Sequence, residues 1–139
     1  RLPAPMGKPL PKRIGDPATP EGRALLQKGS PLLAAARINK PLLIGQGNND
    51  PRVKQAEADQ IVAAMNANHI PVTYLLAADE GHGFQRPEDN LAFFGVAEQF
   101  LAKCLGGQAQ PLGDVMRPSA IKVVQGGELV DGLTAVASK

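Results

Sequence analysis

Two short apolar runs, each leading into a polar loop and separated by one amphipathic helix, constrain this chain more than any other feature. The first is Pro41-Leu42-Leu43-Ile44-Gly45-Gln46-Gly47, and the second is Pro71-Val72-Thr73-Tyr74-Leu75-Leu76. The first lacks polar–apolar alternation, so it reads as a strand buried on both faces, as in a parallel sheet. Between the runs, Ala58, Ile61, Val62 and Met65 recur at helical spacing, which predicts a helix over residues 53–68. After the polar loop 79–86, Pro87 opens a longer helix in which Leu91, Phe94, Ala97, Leu101 and Cys104 form one apolar stripe. Gly106-Gly107 ends it. Strand, helix, strand, helix is a right-handed βαβα unit, hence an α/β fold with parallel neighbouring strands.

The flanks differ in character. Residues 1–20 hold six prolines and four basic residues, so residues 1–18 read as an extended lead. Thr19-Pro20-Glu21 is a helix start: Thr19 can cap, Pro20 suits the first helical position and Glu21 suits the positive end of the dipole. That helix should stop at Gly29, and Ser30-Pro31 repeats the cap-plus-proline signal. Residues 19–107 then carry the α/β portion. In the tail, residues 108–139, a β-hairpin is expected from residues 120–124 and 128–136 about Gly126-Gly127.

Composition removes several function classes. A net charge of +2 and an aromatic share of 4% without Trp leave little for a nucleic-acid surface to work with. The single Cys104 excludes an internal disulfide and a Cys-rich zinc site, and His69 and His82 are too far apart to share ligand spacing. On the apolar stripe, Cys104 is expected to be buried rather than nucleophilic. Gly45-x-Gly47 lacks the third glycine of a dinucleotide loop. No cofactor or metal is therefore expected. No apolar run approaches the roughly 18 residues that would span a bilayer. The chain begins at Arg1 without a Met or an apolar signal region. A start within a longer gene product is one reading of this, and the compartment stays open.

In open parallel sheets, sites gather where loops leave the carboxyl ends of strands. The first strand delivers Asp50 there and the second delivers His82, 32 positions later, which is one βαβ crossover. On neighbouring strands roughly 4.8 Å apart, Asp50 would accept the Nδ1 proton of His82 and leave Nε2 as a general base. Alone, an Asp-Pro after a strand is most often a turn or helix cap, and a His between glycines is most often a loop residue. Together, in this order, they match the last two members of the serine-hydrolase series Ser, Asp, His.

The motifs Ile14-Gly15-Asp16-Pro17, Lys40-Pro41-Leu42-Leu43-Ile44, Asn49-Asp50-Pro51-Arg52-Val53 and Asp79-Glu80-Gly81-His82-Gly83-Phe84, with the helix 90–105, carry a resemblance. From about Gly15 to Gly106 the chain resembles the C-terminal part of the catalytic domain of the prolyl oligopeptidase family, in particular bacterial dipeptidyl-aminopeptidase or acylaminoacyl-peptidase-like members. The resemblance implies an α/β-hydrolase domain that cleaves short peptides or acylated amino acids through an acyl-enzyme. It places Asp50 as catalytic acid, His82 as general base and Arg52 as a ligand for a substrate backbone carbonyl. Arg52 also reads as a plain helix-start cation.

One element of that chemistry is missing from the sequence. A Gly-x-Ser-x-Gly elbow should precede the acid, yet the serines are Ser30, Ser119 and Ser138 and none lies in such a motif. The expectation is a serine-peptidase fragment carrying two of three triad members and inactive by itself. A non-catalytic interaction module and an esterase completed by a second chain are the alternatives. The strand at 41–47 should also be left with an open edge. A homodimer or the missing upstream portion would cover it, unless the tail hairpin does.

Overall fold

A computed structural model of the chain describes residues 15–137. The proline-rich lead up to residue 14 and Ser138 lie outside the described residues. The chain divides into two compact units, Arg1–Ile38 and Asn39–Lys139.

In the first unit, helix α1 (Pro20–Gly29) starts as its sequence dictates. The Thr19 hydroxyl accepts the Gly22 N–H at 3.0 Å, with Pro20 at the first position and Glu21 in the first turn. A one-turn helix α2 (Pro31–Ala34) and a 3₁₀ turn (Ala35–Arg37) follow. Ser30 joins the two helices through its backbone alone, and its hydroxyl makes no capping bond. Pro31 offers no N–H, and the turn is closed instead by the Ala34 N–H on the Ser30 carbonyl at 3.1 Å.

The second unit holds the sheet. Its elements are β1 (Leu42–Gly47), α3 (Gln55–Ala67), β2 (Val72–Ala77), α4 (Pro87–Leu105), β3 (Ile121–Gln125), a 3₁₀ turn (Gly127–Leu129) and α5 (Leu133–Ala137). β1 and β2 run parallel, with Leu42 opposite Val72 and Gly47 opposite Ala77. α3 makes the crossover and buries Ala58, Val62 and Met65, the stripe its sequence predicts. α4 stops at Gly106, whose φ of 71° is the left-handed cap geometry. A core of Leu75, Ala77, Ala92, Val96, Leu112, Met116, Ile121, Val130 and Leu133 joins β2, α4, β3 and the tail. Among the described residues, no helix is long and apolar enough to cross a membrane.

Three expectations are corrected by the structure. The tail forms no hairpin: β3 is a single strand antiparallel to β2, with Ile121 opposite Ala77, and the sheet order is β1-β2-β3. Beyond the left-handed Gly126, Val130 and Leu133 are buried and Val136 packs against the core. That three-residue spacing suits helical turns better than the alternation a return strand needs.

The stripe chosen for α4 is also the wrong face. Ala92 and Val96 are the buried residues, whereas Leu91, Phe94, Leu101 and Cys104 are exposed. α4 is apolar around most of its circumference, so period alone does not select the face that meets the sheet.

Finally, β1 is half-buried along Leu42, Leu43 and Ile44, not enclosed. Among the described residues it pairs with β2 alone, because β3 has taken the opposite edge of β2.

Candidate active site

Where β1 and β2 end side by side, two loops rise from the same end of the sheet. In the first, Asp50 divides its two oxygens between two tasks. Oδ1 accepts the backbone N–H of Arg52 at 2.8 Å and of Val53 at 2.9 Å, which makes the turn into α3. Oδ2 lies 2.9 Å from Nδ1 of His82. Turn residue and pairing residue are thus the same side chain.

The Asp50 side chain is only 7% exposed, while that of His82 is 50% exposed. The Val53 N–H, with further help from the Arg52 N–H and His82, holds the Asp50 carboxyl down at about 2 against the opposing effect of desolvation. Asp50 is therefore ionised at neutral pH and suited to accept from Nδ1–H. Gln46, buried at the end of β1, donates through Nε2 to the carbonyls of Gly47 (3.0 Å) and Val53 (2.9 Å) and so spans this loop from beneath.

The second loop presents His82 at the tip of a tight turn in which Gly81 and Gly83 bridge each other. Gly83 has a φ of 96°, a conformation that a side chain would strain. Asn90 of α4 donates to the Phe84 carbonyl at 2.7 Å, and Arg86 pairs with Asp79 at 2.8 Å. The loops are also tied to each other. Asn48 N–H donates to the Ala77 carbonyl at 2.9 Å, Asn49 N–H to the Glu80 carbonyl at 2.9 Å, and Asn49 Nδ2 to the Ala78 carbonyl at 3.2 Å.

Beside the Asp50–His82 pair is a cavity of about 420 Å³ walled by Phe84, Phe93 and Phe94, with Gly45 and Gly47 of β1 also lining it. Arg52 is exposed and does not line this cavity, so its backbone joins the site while its side chain does not. Ser119 donates its hydroxyl to the Met116 carbonyl at 2.8 Å and lines a different cleft, with Asp79 and Asp89. His69 lies ahead of β2, before the strand's opposite end. Among the described residues, no cluster of three or more His, Cys, Asp or Glu side chains is arranged to hold a metal.

The sequence profile of the prolyl oligopeptidase family matches residues 9–108. The chain belongs to that family. Dipeptidyl aminopeptidase BIII of Pseudoxanthomonas mexicana is 60% identical over 124 residues, which is 89% of this chain and 18% of that protein. Dipeptidyl peptidase family member 6 of Caenorhabditis elegans is 55% identical over 105 residues, 75% of this chain and 14% of that protein. The chain thus spans less than a fifth of the length of these relatives. No solved structure gives a significant match. As a member of the prolyl oligopeptidase family, the chain carries part of an α/β-hydrolase fold, and its mixed three-stranded sheet with covering helices is consistent with a partial domain.

Gln46, Glu80, Asn49 and Asn90 do not stand out in the sequence as site residues. The available signal is position: each lies at a strand end, within one of the two loops, or in the first turn of the following helix, where a polar side chain has loop backbone to bind.

Proposed function

We propose that this chain supplies the acid and base of a serine peptidase acting on short peptides or acylated amino acids. Asp50 holds the Nδ1 proton of His82, which fixes the tautomer and leaves Nε2 to take a proton from a serine outside the sequence. The observation that carries this reading is the 2.9 Å contact between Asp50 and His82 at the carboxyl ends of adjacent parallel strands. The names of the two relatives, a dipeptidyl aminopeptidase and a dipeptidyl peptidase, support peptides as the substrate class. Arg52 is proposed as a ligand for a substrate carbonyl, its exposed side chain turning in only when the domain is complete.

The nucleophile would arrive on further strands of the same domain, packed along the open edge of β1. That placement uses two features of the chain: β1 pairs on one side alone among the described residues, and the aromatic-walled cavity opens beside His82. A second copy of this chain would occupy the same edge when no such portion is present.

Reconstitution tests the reading. The 139-residue chain alone should not react with a fluorophosphonate. Mixed with a separately produced upstream portion of a family catalytic domain, it should direct labelling to a serine of the added portion. H82A should abolish that labelling, since loss of a triad member costs on the order of 10⁴–10⁶ in turnover. Labelling of Ser30, Ser119 or Ser138 in the lone chain would overturn the reading in favour of an improvised esterase. Labelling of the mixture that survives H82A would remove His82 from the chemistry.

A further inference from the structure

Glu80 is 3% exposed, yet it is an acidic residue. A buried carboxylate is costly unless its oxygens are satisfied. Glu80 satisfies Oε1 with the backbone N–H of Gln85 at 2.8 Å and of Arg86 at 2.6 Å. Both donors sit just ahead of α4, a 19-residue helix whose cap residue, Arg86, makes no side-chain capping bond. The carboxylate therefore satisfies the N–H of the cap residue Arg86, from six residues upstream, and that of Gln85 before it, at the end of the helix where its dipole also favours a negative charge.

In doing so it closes residues 80–86 into a ring, and His82 lies inside that ring. The backbone of Glu80 contributes as well, because its carbonyl accepts the Asn49 N–H at 2.9 Å. Asn49 immediately precedes Asp50. One residue thus anchors the loop of the base to its own helix through its side chain and to the loop of the acid through its main chain.

We infer that Glu80 is a positioning residue that presents Nδ1 of His82 to Asp50. Its function in catalysis rests on the reading of His82 as the base, but the positioning itself does not. Without the carboxylate, Gln85 and Arg86 N–H lose their acceptor and the ring opens. His82, half-exposed and held in the described residues by Asp50 alone, then moves away from its partner.

The tautomer of His82 reads this directly. When the ring is neutral, a proton sits on the nitrogen whose hydrogen bond demands it, and ring ¹⁵N shifts distinguish the two nitrogens. In the 139-residue chain at mildly alkaline pH, the proton is expected on Nδ1. D50A should release it to Nε2, E80A should give the D50A pattern, and the double variant should go no further. E80A that keeps the full Nδ1–H signal overturns the inference. If E80A does not fold, E80Q decides: it keeps an oxygen acceptor but loses the charge. It should show amide exchange at Gln85 and Arg86 about tenfold faster and a partial move of the proton to Nε2, with Leu75 in β2 still protected. Unchanged exchange with an unchanged tautomer overturns the inference, and so does faster exchange with an unchanged tautomer. A chain that shows the coupling but never reconstitutes labelling would sink the peptidase reading and leave the positioning intact.

Discussion

A β-carbon placed on Gly47 would lie 2.1 Å from the carbonyl oxygen of Gly81, so the loops of Asp50 and His82 touch backbone to backbone where they leave the sheet. The Glu80 carbonyl would be 2.7 Å away. Neither neighbour is a flexible side chain that could swing aside. G47A is therefore expected to destabilise the chain by about 1–3 kcal/mol, the range of overpacking, and to lengthen the Asp50–His82 contact. Urea denaturation with an unchanged midpoint would show that the loops separate freely.

Asp50 makes stability depend on acid. Its folded value of about 2 lies below the ordinary 3.8. The contribution is therefore present above about pH 4 and is lost as pH falls through the folded value. D50N keeps an oxygen for the Arg52 and Val53 N–H groups but cannot titrate. The stability advantage of the parent chain over D50N should shrink steadily from about pH 5 towards about pH 2. An advantage that stays constant over that range would mean that Asp50 is no better held in the folded chain than in the unfolded one.

Asp89 has the opposite sign. It is 1% exposed; Oδ1 accepts the Ala120 N–H at 2.7 Å, and Oδ2 has no hydrogen-bond partner among the described residues. Burial pushes its carboxyl up, and the neighbouring Asp79 and Glu80 carboxylates add to this against the Ala120 N–H. A proton held more tightly in the folded chain gives stability that is full below the unfolded value near 3.8 and is lost as pH rises through the folded one. D89N carries no such loss. Relative to the parent chain, D89N should gain stability as pH rises above about 4, as read from urea midpoints at successively higher pH. A pH-independent difference would contradict the assignment.

The face of α4 turned away from the core predicts association. Phe94, Leu101 and Leu105 are 65%, 52% and 80% exposed on one helix, and β1 forms an edge of the sheet among the described residues. Apolar area of this kind beside an open strand favours a partner. Light scattering of the lone chain should show mass rising with concentration, and F94E/L101E should lower it. A monomer at all concentrations, with slow amide exchange along residues 42–47, would mean that the edge is protected without a partner.

The βαβα order, the α1 cap and the α3 face are legible in the sequence because each rests on local chemistry: Thr19 before Pro20, Ala58 to Met65 at helical spacing, glycines after strands. Asp50 and His82 are legible because a crossover has a characteristic length and their loops carry distinctive residues. The rest is decided by tertiary partners. α4 offers two apolar faces, and the one that meets the sheet carries Ala92 and Val96 together with the half-buried Phe93 and Phe100, a choice that periodicity does not weigh. The tail misleads because Gly126-Gly127 signals a turn without specifying the element beyond it. The roles of Gln46 and Glu80 depend on the loop backbone they happen to meet, and that is fixed only once the strands are in register.

Register also says where this protein can grow. Gly47 lies opposite Ala77, so Asp50 and His82 meet because two strands end level, whatever the number of residues between them. The connection from α3 into β2, residues 68–71, takes the chain back to the start of β2, and His69 bends it with a φ of 56°. Insertions there would lengthen the gap between Asp50 and His82 in the sequence while leaving their contact alone. A single residue added between Gly47 and Asp50, or between Ala77 and His82, would break it. The spacing of 32 is therefore not what the contact requires, while the short arms that reach from each strand end to Asp50 and His82 must keep their length.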